Sequence, residues 1–179
     1  QMDKETVSEL FKIYKTAENR INLYSIFIEK GVSLLKHGGQ MSFINPNSML
    51  VNSSYTELRK LIVNDISFIV KLPDNVFADA KVETIIWGLS KGNKDKCFYA
   101  LVYNKKQQIN QIDTFFTKEI SKGDCMLGER CTFNIYGNAA VDNILKKIEK
   151  STVSLNSVAE FSLGITPYDK YKGHSKEII

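Results

Sequence analysis

Apolar residues at three- and four-residue spacing (Val7, Leu10, Phe11, Tyr14) predict an amphipathic helix over residues 7–18 with that face turned inward. Asn22 is placed to cap a second helix running to about Lys36. Leu23, Tyr24, Ile26, Phe27, Ile28, Val32, Leu34 and Leu35 cover most of its circumference, so it is expected to be largely buried, and His37-Gly38-Gly39 stops it. Residues 41–45 read as a short central strand, because Met41, Phe43 and Ile44 leave little polar surface on either face. Pro46 bars its continuation. Ser54 and Glu57 have the spacing of a capping box, opening a helix whose Tyr55, Leu58, Leu61 and Ile62 point inward. Residues 67–72 (SFIVKL) form a second apolar strand closed by Pro73-Asp74-Asn75. Two β-branched and aromatic runs, 82–90 and 97–103, flank a Gly-Asn turn and read as a β-hairpin.

The order helix, strand, helix, strand, hairpin is half of a three-layer α/β domain, and its first strand expects neighbours that the chain does not contain. Residues 1–104 are read as this domain and residues 105–138 as a linker or insertion. Residues 139–179 are read as an amphipathic helix (AAVDNILKKIEK) followed by the beginning of a second domain. No internal repeat or low-complexity tract appears.

With 179 residues, 43% of them hydrophobic, the chain can build one substantial core and is no disordered tail. Its three cysteines, Cys97, Cys125 and Cys131, lack CxxC spacing, and the two histidines, His37 and His174, lie far from them. No metal is expected, and free thiols in a reducing, cytoplasmic setting are the default. No positively charged leader precedes an apolar segment, and no apolar run approaches the roughly 18 residues of a membrane helix, so no membrane association is expected. A net charge of +4 suits nucleic acid but equally suits a surface of solvated lysines.

Candidate chemistry centres first on GGQMSFINPNSML. The exocyclic amine of adenine is a poor nucleophile because its lone pair is delocalised, so its methylation requires acceptors for its protons. Enzymes that methylate it in DNA use a turn of Asn or Asp, then Pro-Pro, then Tyr or Phe. The first side chain and a carbonyl accept from the amine while the aromatic stacks on a base rotated out of the duplex. Here the tetrad is Asn45, Pro46, Asn47 and Ser48, and a serine has no π face. The tetrad is therefore read as the end of a buried strand and not as the catalytic turn.

The run INLYSIFIEKGVSLLKHGGQMSFINPNSMLVNSSYTELRKLIV, followed by LPDNVFADAKVETIIWGLSK, resembles the later half of the catalytic domain of adenine-specific DNA methyltransferases. The nearest branch is the single-chain, type IIG restriction-modification proteins and related phage-defence methylases. A LYxxFIExxLxLLKxGG helix, a strand with a Pro-containing turn, an LRxxL helix, a strand and a VFxxAxVxT segment occur in the family's order, over about residues 22–91. The resemblance implies a partial class I S-adenosylmethionine-dependent (Rossmann-like) fold ending in the antiparallel hairpin. It also implies a piece of a larger protein that methylates adenine in double-stranded DNA. The family's catalytic turn and its glycine-rich cofactor loop precede the LYxxFIE helix, so neither is expected in this chain. No catalytic residue is assigned here, and S-adenosylmethionine is expected to be held mainly by the upstream half, through residues this sequence does not identify.

One site residue carries over from the family, in which the Phe of VFxxAxVxT packs on the flipped adenine. The match is Phe77, which by composition alone reads as a core anchor. Lys81 is placed for a phosphate contact or as a solvated lysine. The tail GITPYDKYKGHSKEII looks like the opening of a target-recognition region, in which Tyr168, Lys170 and Lys172 interleave aromatic and basic groups suited to DNA; a plain basic terminus accounts for them equally. Two other function classes stay open. One is a non-catalytic DNA-binding or assembly module of a defence complex, and the other is a methyltransferase fold directed to RNA or protein. The sequence does not identify protein partners, and a fused nuclease is not reported by any residue present.

Overall fold

The computed structural model describes residues 3–18, 22–74, 76–77, 82–109, 116, 118–136 and 139–162. The chain divides into two compact units, residues 1–138 and residues 139–179. The first contains helices α1 (Lys4–Ile13), α2 (Leu23–Leu34), α3 (Thr56–Ile62) and α4 (Lys122–Leu127). Its strands are β1 (Gln40–Pro46), β2 (Ile66–Lys71), β3 (Thr84–Ser90), β4 (Cys97–Val102) and β5 (Lys118–Ser121). The second contains α5 (Ala139–Ser151) and a short 3-10 turn, Leu155–Ser157.

The five strands form one mixed sheet in the order β1-β3-β2-β4-β5. β3 runs antiparallel to both β1 and β2, and β4 is parallel to β2, so the carboxyl ends of β1, β2 and β4 share one edge. β5 closes the far side antiparallel to β4. The α/β class stands, but the hairpin expected between 82–90 and 97–103 does not form, because β2 lies between β3 and β4. Two physical reasons favour this arrangement. β2 is buried at Ile66, Ile69, Val70 and Lys71, and a strand covered on both faces needs a partner along each edge. The link 91–96, at about 3.3 Å per residue, easily spans the roughly 10 Å across one intervening strand. The turn is still tight where it leaves β3. Gly92 takes φ +80° there, and in the α2–β1 connection the Gly38 N–H donates to the Lys91 carbonyl while the Lys91 N–H donates to the Gly39 carbonyl.

Strand alternation sorts the core onto two faces. Ile85, Trp87 and Leu89 of β3 meet Ile28 and Val32 of α2 and Leu58 and Ile62 of α3. Val70, Leu72, Leu101 and Tyr103 form a smaller cluster with Phe68, Ile86 and Phe116. Gly88 faces Phe68 so closely that a Cβ there would lie 2.4 Å from the ring. The stretch 105–138, left by the sequence as linker or insertion, supplies β5, α4 and the buried side chains Ile120, Cys125, Cys131, Phe133 and Ile135.

Several local expectations are corrected. α1 buries none of its residues, and its Phe11 is 44% exposed, so its apolar face does not pack inward. α2 buries only Ser25, Ile26, Ile28 and Val32; Leu23, Phe27 and Leu34 stay exposed because the sheet covers one side of the helix. Among the described strands β1 stands at the edge of the sheet, with alternating exposure and Ile44 open. Ser54 does not cap α3. It lies in a 3-10 turn capped by Asn52, and the Glu57 N–H at the start of α3 donates instead to the Glu18 carboxylate at 2.7 Å. All three cysteines are free thiols. Among the described residues no helix is long and apolar enough to cross a membrane.

The buried guanidinium of Arg59, in the LRxxL segment of α3, ties these parts together. Nη1 donates to the Met49 and Asn52 carbonyls at 2.7 and 2.8 Å, and Nη2 to that of Arg130 at 2.7 Å. Nε is shared between the Arg130 and Cys131 carbonyls, both at 3.0 Å. Burial pulls its pKa below the usual arginine value, yet the group stays charged at any working pH.

Arg59→Met is expected to destabilise the fold by about 3 kcal/mol, since the Met49 and Cys131 carbonyls lose their donor in buried contacts at about 1–3 kcal/mol each. Urea unfolding measures the loss, and a change below about 1 kcal/mol would contradict this account. Gly88→Ala is expected to cost about 1–3 kcal/mol by overpacking against Phe68, and adding Phe68→Leu should restore part of it.

Candidate functional site

Ligands of open α/β sheets bind outside the carboxyl ends of the parallel strands. In this chain that edge holds the turn after β1, the loop between β2 and β3, and the segment after β4. The first two contain the tetrad and Phe77.

In the tetrad turn the Asn45 amide is fully committed to the core. Its Oδ1 accepts the Trp87 indole N–H at 2.6 Å, and its Nδ2 donates to the Pro46 carbonyl at 2.9 Å. Asn45 is buried and Trp87 wholly so. The Asn45 amide is thus engaged by a buried indole that would cost about 1–3 kcal/mol to leave unpaired. Beyond Pro46 the chain folds into a 3-10 turn, Asn47–Leu50, which sinks Met49 and Leu50 into the core and offers its carbonyls to Arg59. The turn is a rigid floor, consistent with its reading as the end of a strand.

Phe77 lies on a bend in the loop between β2 and β3, with 44% of its surface exposed, and belongs to neither apolar cluster. Composition would have made it a core anchor; instead its ring stands at the strand ends, available to another flat group. Asp74 and Glu83 stand on either side of Phe77 in the sequence, and two lysines reach both carboxylates. Lys71 Nζ is 3.8 Å from Asp74 Oδ1 and 3.3 Å from Glu83 Oε2, while Lys105 Nζ is 3.9 Å from Asp74 Oδ2 and 3.1 Å from Glu83 Oε1. The hydrogen bond from Lys105, with Lys71 close by, holds the Glu83 carboxyl below its usual range, and the same bond raises Lys105. Asn47 Nδ2 also donates to Glu83 at 2.7 Å, and the Asn47 N–H donates to the Glu83 carbonyl at 2.9 Å, joining the loop to the floor.

Of the residues assigned a site role from sequence, Phe77 is described and lies at this edge, as does the tetrad Asn45–Ser48. Lys81, Tyr168, Lys170 and Lys172 lie outside the described residues. Sequence reasoning missed Arg59, Lys71 and Glu83. The available signal was a lysine closing an otherwise apolar strand (SFIVKL), where a buried ammonium requires nearby carboxylates. Among the described residues no group of three or more His, Cys, Asp or Glu side chains is gathered to hold a metal ion.

Residues 1–77 match the family model of the Eco57I restriction-modification methylase. Over 131 residues the chain is 28% identical to the Type II methyltransferase M.TthHB8I of Thermus thermophilus, covering 65% of this chain and 31% of that protein. The fold is similar to that of the type I restriction-modification system methyltransferase subunit from Streptococcus thermophilus. There the identity is 19%, the TM-score 0.50, and the match covers 62% of this chain and 29% of that one. The chain thus spans less than a third of the length of either relative. Over its first 77 residues, which run from α1 to Phe77, it carries the sequence pattern of the Eco57I restriction-modification methylases.

Proposed function

We propose that the protein to which this chain belongs methylates the exocyclic amine of adenine in DNA, with Phe77 stacking on the extruded target base. S-adenosylmethionine would supply an electrophilic methyl group, and its sulfur would leave with the electrons of the broken S–CH3 bond. The amine nitrogen forms the new bond and gives up a proton. Such a reaction needs nucleophile and methyl group in line and acceptors for the amine protons, with no covalent intermediate. The observation that carries the reading is an exposed phenyl ring on a loop at the carboxyl edge of the sheet, where a core phenylalanine would be buried. Stacking a base on one ring contributes roughly 1 to 3 kcal/mol, comparable with the few kcal/mol that extrusion costs.

The chain's own share of the chemistry is limited to that ring and its support. Asn45 already accepts from Trp87 and its turn has no aromatic at Ser48, which supports an amine acceptor carried elsewhere in the protein. The only adjacent glycines in the sequence, Gly38 and Gly39, precede β1 at the opposite end of the strands, so they are badly placed to hold a methyl donor at this edge. No residue here is assigned to S-adenosylmethionine, and the chain alone is expected to be inactive. Lys81, Tyr168, Lys170 and Lys172 remain proposed contacts to double-stranded DNA. The kinship with restriction-modification methylases does not favour the non-catalytic reading.

The test is methyl transfer from labelled S-adenosylmethionine to a broad panel of DNAs by the protein extended through its native upstream codons. Label should appear as N6-methyladenine. Phe77→Ala should lower kcat/KM for DNA about 10- to 100-fold, the equivalent of roughly 1 to 3 kcal/mol of lost stacking. A folded protein that binds no S-adenosylmethionine and labels no DNA would overturn the reading; salt-dependent duplex binding by that protein would then support a binding module.

A further inference from the structure

Loop 75–82 is closed at its base by an unusual arrangement in which two carboxylates, nine positions apart, are each reached by the same two ammonium groups. An isolated exposed ion pair contributes little. This set differs because the Lys71 side chain is only 4% exposed, and a buried ammonium is costly unless carboxylates stay beside it. Asp74 and Glu83 are therefore held against Lys71, and Lys105 bridges them from the solvent side. The backbone follows the same seam: the Asp74 N–H donates to the Lys105 carbonyl and the Leu72 N–H to the Thr84 carbonyl, both at 3.0 Å.

We infer that Lys71, Asp74, Glu83 and Lys105 form a four-charge latch that ties together the two ends of the β2–β3 connection, making Glu83 and Lys105 positioning residues for Phe77. The inference rests on the stacking role proposed for that ring. None of the four groups needs to touch the base. Because Asn47 holds both the side chain and the carbonyl of Glu83, the latch references the loop to the Arg59-pinned turn rather than to solvent. The groups facing the Glu83 carboxylate are Lys71, Lys105, Asp74 and Asn47. Since its folded-state pKa is lowered, the latch is complete above the ordinary carboxylate value of 4.5 and loosens as pH falls through the folded value below it.

The experiment uses the full-length protein with Glu83→Gln, Lys105→Met and Lys105→Arg. Amide hydrogen exchange of peptides covering 75–82 is read beside kcat/KM for DNA and KM for S-adenosylmethionine. Glu83→Gln and Lys105→Met should each speed exchange in the loop and lower kcat/KM for DNA about tenfold or more, as misplacement of a positioned group does. KM for S-adenosylmethionine should not move, and Lys105→Arg should behave as the unsubstituted protein. If Lys105 were instead a DNA phosphate contact, Glu83→Gln would strengthen DNA binding, because it removes a negative charge; that sign would overturn the latch. Unchanged loop exchange in both variants would overturn it whatever the activity. Faster exchange with unchanged kinetics, in a protein that Phe77→Ala still slows, would overturn the positioning role alone. If Phe77→Ala is itself silent in an active protein, the stacking reading fails and the positioning role falls with it. Glu83→Gln removes part of a buried network, so exposed Lys105 gives the independent variant should the first not fold.

Discussion

The buried guanidinium of Arg59 fixes the turn after β1 at the carboxyl edge of this sheet. Arg59 spends its donors on backbone carbonyls contributed by two stretches far apart in sequence, 49–52 and 130–131. The contacts to the Met49 and Cys131 carbonyls are buried, where a carbonyl without a donor is costly. A guanidinium is suited to this because its planar fork serves several acceptors at once and never deprotonates, whereas a lysine offers a single point charge. The turn after β1 and the far end of the domain are thus fixed against each other, and the Phe133 N–H bond to the Leu50 carbonyl at 2.9 Å adds to the seam.

The turn after β1 and the ends of the β2–β3 connection are fastened by different physical means. The Asn45–Trp87 bond turns a sequence that looks catalytic into a structural one, since the amide oxygen is occupied by the group least able to be left unpaired. The next loop along the edge is fastened differently, by charges that are partly solvated and by Asn47 reaching over from the floor. A site assembled this way has one wall that cannot adjust and another held at its hinge points. That suits contact with a ligand whose flat face must be met at a set height.

Much of this was legible from sequence, and the failures have a common cause. The strands 66–71 and 84–90, helix α2 with its Asn22 cap, and the end of β1 at Pro46 follow from local patterning. What local patterning cannot supply is the neighbour. Residues 82–90 and 97–103 have the composition of a hairpin, yet β2 claims the position between them because it is buried on both faces. The four-residue β5 is too short to register as a period, and the apolar stripe of α1 looks like a core face although nothing described covers it. Ser54 lost the cap of α3 to Glu18, 39 positions away from the Glu57 amide it satisfies, which no window of sequence reveals. Arg59 was hidden for the same reason: its partners are carbonyls, and carbonyls carry no sequence signal.

The open side of β1 bears on how the domain is completed. A strand with an unpaired edge is an aggregation hazard, and soluble proteins blunt such edges with charges, bulges or prolines. β1 offers none of these before Pro46: its other positions are Gln40, Met41, Ser42, Phe43, Ile44 and Asn45, with Ile44 exposed. Beside it, α2 leaves Leu23, Phe27 and Leu34 in the open, and an apolar helix face flanking an undefended strand edge is continuous with the sheet rather than scattered over the surface. Both features are accounted for if the proposed upstream half of the methyltransferase domain pairs along β1 and packs on α2. The added strands would then bring their own carboxyl ends beside Asn45, Phe77 and the latch. On this reading a methyl donor and amine acceptor carried by those strands would arrive at the same edge that presents the stacking ring, and the site would be shared between the two halves of one sheet.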